Sequence, residues 1–595
     1  MARNTYNQDE KLKSEINLSH IKRLGGYLAK YKGKLIASII YMLINSILSL
    51  LPPFLIAMVI DVCLPEKNYK LLYLIVGAVI ASELLIWLIT CIRTKAINLV
   101  GMGLVHDLRH DLYTHLQHLP LSYFDSRPHG KILIRIVNYI NTLSQLLSNG
   151  IIDVVANLFT VFVIIVFMFM MDVQFALICV AFVPVFVTFI LVLKTKHRKA
   201  WQTLSSKQSN LTAYISESIT GMKVTQSFAR ENKNAETFDN LCQDTKKHWL
   251  KARYIEFAIP VTVNVLSVIS TVVVYLIGAS RIAEGGLTLG VLIAFASYIS
   301  RFWSPITILT NYYNQIITAA AYVERIFETM DEPFIVEDLP DAKPLDDIKG
   351  NVEFKNVTFA YEESEPNVLE NVSFTAKAGE SIALVGPTGA GKSTIINLLS
   401  RFYDIQSGTI LIDGKDIRYA TLKSLRSQVG VMLQDSFLFS GTIKDNIRYG
   451  KLDATDEEII SAAKTVCAHD FIMSMPQGYD TPVNERGASL SVGQRQLIAF
   501  ARTLLSDPKI LILDEATSSI DTETETLLQQ GLHELLKGRT SFIVAHRLST
   551  IKQCDCIMHI SNKNISEKGT HEELLEKKGA YYNLYQAQFK FLNSD

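Results

Sequence analysis

Six runs of about 20 predominantly apolar residues crowd into the first 315 positions of this 595-residue chain. Hydrocarbon offers backbone N–H and C=O groups no water to bond, so runs of that length fold as membrane-crossing helices and little else. The spans are expected at about 35–60, 71–92, 149–171, 173–194, 257–279 and 287–310. Their connections are lopsided. Spans one and two, three and four, and five and six are joined by about ten residues or fewer, whereas about 56 separate two from three and about 62 separate four from five. The long connections carry charge: 194–255 holds a dozen Lys and Arg, beginning with KTKHRK at 194–199. Basic segments stay on the cytoplasmic side, which places the N-terminus and both long connections inside.

Residues 17–32, NLSHIKRLGGYLAKYK, read as an amphipathic helix lying along that inner surface. The first 34 residues are charged and the apolar run behind them is long enough to stay as an anchor, so no cleavable leader is expected. Both 95–119 and 199–256 are rich in helix formers and poor in Pro and Gly, so the membrane helices should continue into the cytoplasm. Twenty-five helical residues would extend roughly 38 Å. Turning points are expected at SYFDSRPHGKILIR (122–135) and SESITGMKVTQSFARE (216–231). Lys and Arg total 58, and so do Asp and Glu, a balance that argues against a nucleic-acid partner. Seven scattered cysteines without a C-x-x-C pair argue against a zinc site or a disulfide framework.

The acidic, proline-bearing stretch MDEPFIVEDLPDAKPLDD (330–347) reads as a linker, and short β-rich runs alternating with helices follow it. Four segments are therefore expected: a cytoplasmic segment 1–34, a six-helix transmembrane domain 35–327, a linker 328–348 and an α/β domain 349–595. The α/β domain carries ESIALVGPTGAGKSTIINLLSRF, a strand, a glycine-rich turn and a helix. The turn, Gly386, Pro387, Thr388, Gly389, Ala390 and Gly391, with Lys392, Ser393 and Thr394 opening the helix, fits the P-loop pattern in its confirming context. Its backbone N–H groups and helix dipole suit phosphates. Lys392 would reach the β- and γ-phosphates of ATP and the Ser393 hydroxyl would ligate Mg²⁺. The buried run KILILDEATSSID (509–521) ends in two acids, of which Asp514 would hold Mg²⁺ and Glu515 would polarise the attacking water.

Taken together, 349–590 resembles the nucleotide-binding domain of ATP-binding cassette (ABC) transporters, and the six-span block resembles that family's exporter-type membrane domain. The fold class is then a polytopic α-helical membrane domain followed by an α/β P-loop NTPase domain. The resemblance implies further roles. Tyr361, in VTFAYEE, would stack on adenine; Gln434, in VMLQDSFLFSGTIKDNI, would sense the γ-phosphate and Mg²⁺; His546, in SFIVAHRLST, would contact the γ-phosphate. Asp521 belongs to the loop after the paired acids. Ser491, Gly493 and Gln494, in LSVGQRQ, belong to the signature that serves the ATP of a partner subunit.

One cassette behind six spans is half of an exporter, so the resemblance implies a second half-transporter. Val492 stands where the signature usually carries a second glycine, and Glu515 is intact; that combination favours a heterodimer over a homodimer. The expected function is ATP-driven export of hydrophobic or amphipathic compounds across a bacterial cell membrane, with a lipid flippase and an ATP-gated channel as alternatives. Coupling would pass through Phe124–Gly130 and Ile215–Gly221. Glu83, Asn264 and Arg301 are the polar residues at membrane depth, the default candidates for a substrate path. Glu83 would favour cationic amphipaths.

Overall fold

A computed structural model describes residues 18–127, 129–146, 152–362, 365–432, 436–484, 487, 489–514, 522–545 and 547–589. The chain divides into two compact units, one made of Met1–Gln117 and Arg127–Glu332, the other of His118–Ser126 and Pro333–Asp595.

The first unit is helical. It contains α1 (Leu18–Ala29), α2 (Lys32–Leu48), α3 (Leu51–Met58), α4 (Tyr69–His118, up to Gln117), α6 (His129–Ile134), α7 (Ile140–Leu146), α8 (Ile152–Met171), α9 (Val173–Thr220), α10 (Met222–Ser227), α11 (Glu231–Ala283) and α12 (Leu289–Met330); α5 (Leu121–Ser126) belongs to the second unit. Among the described residues, five helical stretches are long and apolar enough to cross a membrane: Lys32–Cys63, Tyr69–His118, Val154–Met171, Glu231–Ala283 and Leu289–Ile306. The fourth expected span falls on the shorter apolar stretch Val173–Phe189 at the start of α9. The beginning of the third, 149–151, lies outside the described residues.

The helices α4, α9 and α11 have 50, 48 and 53 residues. At 1.5 Å per residue each is roughly 70–80 Å long, more than twice the hydrocarbon thickness. Helices gain little hydrophobic free energy by leaving lipid for one another, so close packing and interhelical hydrogen bonds hold such a bundle. Gly278 of α11 provides the first: a Cβ there would stand 2.4 Å from Leu292 of α12.

Hydrogen bonds provide the second. Pro53 lacks the N–H that Ser49 C=O would accept, and the chain breaks between α2 and α3. Arg301 Nη1 donates to that Ser49 carbonyl at 2.9 Å, and Tyr298 OH donates to Leu50 C=O at 2.8 Å. At the other end of the first span Asp61 accepts from Thr288 Oγ1 (2.6 Å) and from the Gly290 N–H (2.8 Å), satisfying a donor at the start of α12. Asp172 caps α9 at the N–H groups of Gln174 and Phe175 and pairs with Arg281 of α11 at 2.7 Å. The amphipathic segment forms α1, tied to α12 by Arg23–Asp331 (2.5 Å) and to α4 by Lys30–Asp107 (3.0 Å).

The second unit is α/β. One sheet has the order β2 (Leu369–Ala376), β1 (Val352–Phe359), β4 (Ser407–Ile412), β5 (Lys415–Asp416). The larger sheet runs β12 (Asn564–Gly569), β11 (Cys556–Ser561), β3 (Ser381–Val385), β10 (Thr540–Val544), β9 (Ile510–Asp514), β6 (Val429–Met432), and a two-stranded pair joins β7 (Gly441–Thr442) to β8 (Pro482–Val483). From β11 to β6 every pairing in the larger sheet is parallel. Helices cover such strands on both faces, which is why β3, β9 and β10 read as nearly unbroken apolar runs.

Candidate nucleotide-binding site

Parallel strands present their C-terminal ends along one edge, and the sequence puts its chemistry there. Register pairs Leu384 with Val544 and Val544 with Asp514, so the residues leaving β3, β10 and β9 start level with one another. The glycine-rich turn follows β3, and His546 and Glu515 follow β10 and β9 in the chain. Gln434 follows β6. Ligands bind at this edge of open α/β sheets. Gln434, Glu515, Asp521 and His546 themselves lie outside the described residues.

The turn has the backbone such a cradle needs. Gly386 has φ +143°, and a Cβ on it would stand 2.2 Å from Ile560 C=O, so neither the dihedral nor the space admits a side chain. Gly389 (φ +81°) and Gly391 (φ +103°) continue the curl, with Gly391 capping α13 (Lys392–Leu399). Pro387, Thr388, Gly389 and Ser393 are exposed, Ala390 is half-buried, and Lys392 and Thr394 are buried. Lys392 Nζ donates to the carbonyls of Gly386 (2.8 Å) and Pro387 (3.0 Å), which holds the ammonium inside the turn. Burial lowers its pKa from the usual lysine value, and the facing Asp514 carboxylate opposes that shift. Tyr361 is exposed on its ring and anchored by its hydroxyl, which shares a hydrogen bond with Thr394 Oγ1 at 3.0 Å.

The signature forms a helix start. Ser491 is the N-cap of the helix Val492–Leu505, in a reciprocal box: Gln494 N–H donates to Ser491 Oγ (3.2 Å) and Ser491 N–H donates to Gln494 Oε1 (2.9 Å). Val492 is exposed at the first helical position and interrupts no part of this box. Gly493 is buried, and a Cβ there would stand 2.2 Å from Thr524 Cγ2 on the helix Thr522–Leu536. That glycine is demanded by helix–helix packing inside the cassette, a reason the sequence pattern alone did not reveal.

Two more residues of this edge escaped sequence reasoning. Arg547, next to His546, donates to Glu525 near the start of the helix that follows Asp521, joining two segments of the site. Arg547 also lines a cavity of about 50 Å³ with Asp514, Gln496 and Gln529. Tyr403 packs edge-to-face on Tyr361, with ring centres 5.1 Å apart.

The three membrane candidates are not brought together: among the described residues no hydrogen bond or ion pair links Glu83, Asn264 and Arg301. One Arg301 donor is engaged by the Ser49 carbonyl, while Glu83 and Asn264 are exposed. An open groove of about 670 Å³ runs along α4 instead, lined by Trp87, Thr90, Cys91, Thr94, Lys95, Asn98, Leu99 and Met102.

Comparison with known proteins agrees with this fold. Residues 35–306 match the ABC transporter transmembrane region and 369–518 match the ABC transporter family. The chain is 41% identical over 586 residues to the uncharacterized ABC transporter ATP-binding protein YknV of Bacillus subtilis, covering 98% of this chain and 97% of that one. It is 36% identical over 579 residues to a candidate multidrug export ATP-binding/permease protein of Staphylococcus aureus (96% and 100% covered). It is 38% identical over 519 residues to the fatty acid ABC transporter ATP-binding/permease protein of Mycobacterium tuberculosis (87% and 81% covered). Among solved structures, a bacterial Atm1-family ABC exporter with ATP bound superposes with a TM-score of 0.75 at 28% identity, over 94% of this chain and 99% of that one. The chain belongs to the ABC transporter family: it is an exporter half-transporter, a multi-pass membrane ATPase coupled to transport that works as a dimer.

Proposed function

We propose that this chain exports hydrophobic or amphipathic compounds across a bacterial cell membrane, with its N-terminus and cassette in the cytoplasm. Within it, 1–34 would be a cytoplasmic segment, 35–327 the transmembrane domain, 328–348 the linker and 349–595 the cassette. The observation that carries the reading is the P-loop edge, with Lys392 held in the Gly386–Gly391 turn and faced by Asp514. Adenine stacks on Tyr361, the turn wraps the phosphates, and Lys392 exchanges its two carbonyl acceptors for phosphate oxygens. Ser393, Asp514 and Gln434 are hard oxygen donors of the kind Mg²⁺ takes, and the charge of Asp514 falls on the P-loop lysine. When bound, that ion neutralises charge on the β- and γ-phosphates. Glu515 accepts a proton from the attacking water, and His546 donates to the γ-phosphate.

Ser491, Gly493 and Gln494 serve the ATP of the second subunit, and Asp521 belongs to the loop after the paired acids. Ser491 Oγ already accepts from Gln494, so its own proton is what remains for phosphate. Replacing Ser491 with Ala should destabilise the cassette by about 0.5–2 kcal/mol through loss of the cap. Ser491→Asp keeps a capping acceptor but opposes the phosphate charge. A thermal melt near wild type with ATP turnover lost is expected; turnover retained in Ser491→Asp would remove Ser491 from phosphate contact.

Valine at 492 in place of the usual second signature glycine, beside an intact Glu515, supports a heterodimer in which one ATP site is weaker. Purified alone, the chain should then show little ATPase activity; a stable homodimer with vigorous, drug-stimulated turnover would contradict this. Exposed Met222, Val224 and Phe228 at the turn α10 suit docking on the partner's cassette. For the cargo, the groove on α4 combines Trp87 and Met102 with Thr94, Lys95 and Asn98, a surface for an amphipath. The name of the mycobacterial relative favours a fatty acid or other lipid as the second reading. Reconstitution with a labelled fatty acid beside a cationic dye separates the two.

A further inference from the structure

We infer that the groove on α4 selects an anionic, single-chain amphipath, and that Lys95 is the residue that reads the charge of its head. The inference rests on the reading of that groove as a cargo surface and names the class of cargo it takes.

Trp87, Cys91, Lys95, Asn98 and Met102 follow one another at spacings of three or four, so they stand in a row on one face of the helix. The groove they line has about 670 Å³, within the roughly 300–1,000 Å³ of sites for small ligands. It is apolar at both ends: Trp87 is 65% exposed and Met102 67%. Trp87 lies within the second expected span, where lipid covers it. Met102 lies beyond the end of that span at residue 92, by roughly 15 Å of helix. A large apolar side chain exposed so far outside hydrocarbon, in line with others, marks a surface that something apolar visits.

Between the two ends is one polar turn. Thr90 is already engaged, its Oγ1 accepting from Asn45 Nδ2 at 3.3 Å and donating to Ile86 C=O at 2.8 Å. Thr94, Lys95 and Asn98 have no hydrogen bond or ion pair among the described residues. By contrast, Lys30 pairs with Asp107 at 3.0 Å and Arg253 with Glu256 at 2.8 Å. Among the described residues no Asp or Glu lines the groove, and Glu83 lies roughly 18 Å up the helix from Lys95. A cationic head would meet an ammonium and no counter-charge. A carboxylate instead pairs with Lys95 and takes further hydrogen bonds from the Thr94 hydroxyl and the Asn98 amide. Leu99 and Met102 on one side and Cys91 and Trp87 on the other keep water from that pair, and opposite charges attract more strongly as water leaves. Lys95 is roughly 5 Å of helix past the expected span, the level of lipid headgroups, so the chain runs back along Cys91 and Trp87 into the inner leaflet. One cation on a strip one helix wide suits one charged head on one chain.

Cys91 is exposed in the groove and reports its occupancy without transport. Its alkylation by N-ethylmaleimide is followed by mass spectrometry in the full-length protein, with any partner it has, in phosphatidylcholine nanodiscs. Cys242 of α11 serves as the internal control. Palmitate at about twice its dissociation constant should slow Cys91 about threefold relative to Cys242, since occupancy follows mass action. Hexadecanol and hexadecyltrimethylammonium should not. Lys95→Gln should abolish the protection, Lys95→Arg should keep it, and Lys95→Glu should transfer it to hexadecyltrimethylammonium. Equal protection by all three amphipaths, or palmitate protection that survives in Lys95→Gln, overturns charge selection by Lys95. Protection by phosphatidylglycerol with palmitate ineffective overturns the single-chain cargo. A Cys91 that does not react even without an amphipath shows the groove covered by a partner helix and overturns the inference. ATP-driven dye accumulation beside a Cys91 that palmitate leaves unprotected overturns this inference and leaves export standing; protection in vesicles that accumulate nothing overturns export and leaves the anion-selective groove.

Discussion

Glu515→Gln in the assembled transporter is expected to cut ATP turnover by roughly 10²- to 10⁴-fold, the range for loss of a positioned general base. ATP affinity should stay close to wild type, because the substitution preserves shape and removes only basicity. The apolar strand β9 ends at Asp514, with Glu515 next in the chain. Asp514 is directed at Lys392, whose pKa it raises against the effect of burial. That leaves Glu515 for the water. Phosphate release and an ATP titration on the same sample measure both quantities. Turnover within tenfold of wild type would take Glu515 out of this role.

The second large effect is expected at Gly493. A methyl group there meets Thr524 Cγ2 at 2.2 Å, and a β-branched threonine on a helix has few χ1 positions to move that methyl into. Overpacking of this kind costs about 1–3 kcal/mol. Gly493→Ala should therefore lower the melting temperature of the cassette by several degrees and cut turnover at least about tenfold, since Gly493 sits inside the Ser491–Gln494 capping box. Thr524→Ala removes the clashing methyl while its Cβ keeps an ordinary 3.5 Å separation, so the double variant should regain stability and turnover. A double variant that is stable but still inactive would show that the glycine serves approach of phosphate rather than packing.

The contrast between these sites shows what sequence makes legible. Long apolar runs and the strand–turn–helix of the P-loop are local patterns, and the structure has helices at the expected spans and a left-handed glycine turn at Gly386–Gly391. The expected turning points likewise coincide with the short helices α5 and α10. Partnerships between distant residues left no such trace. Arg301 stands out in the sequence only as a charge at membrane depth, a candidate for the substrate path. It donates to Ser49 C=O, which Pro53 deprives of a partner, and only the packing of α12 on α3 brings them together. The dependence of Gly493 on Thr524 arises in the same way, from tertiary placement that no periodicity encodes.

ATP-driven accumulation of a fluorescent amphipathic dye in inside-out vesicles, prepared from cells that make this chain with any partner it has, tests the central claim most directly. Vesicles carrying the wild-type chain should concentrate the dye when given ATP and Mg²⁺, and vesicles carrying Glu515→Gln at equal abundance should not. Equal accumulation in both would contradict an exporter powered by this cassette.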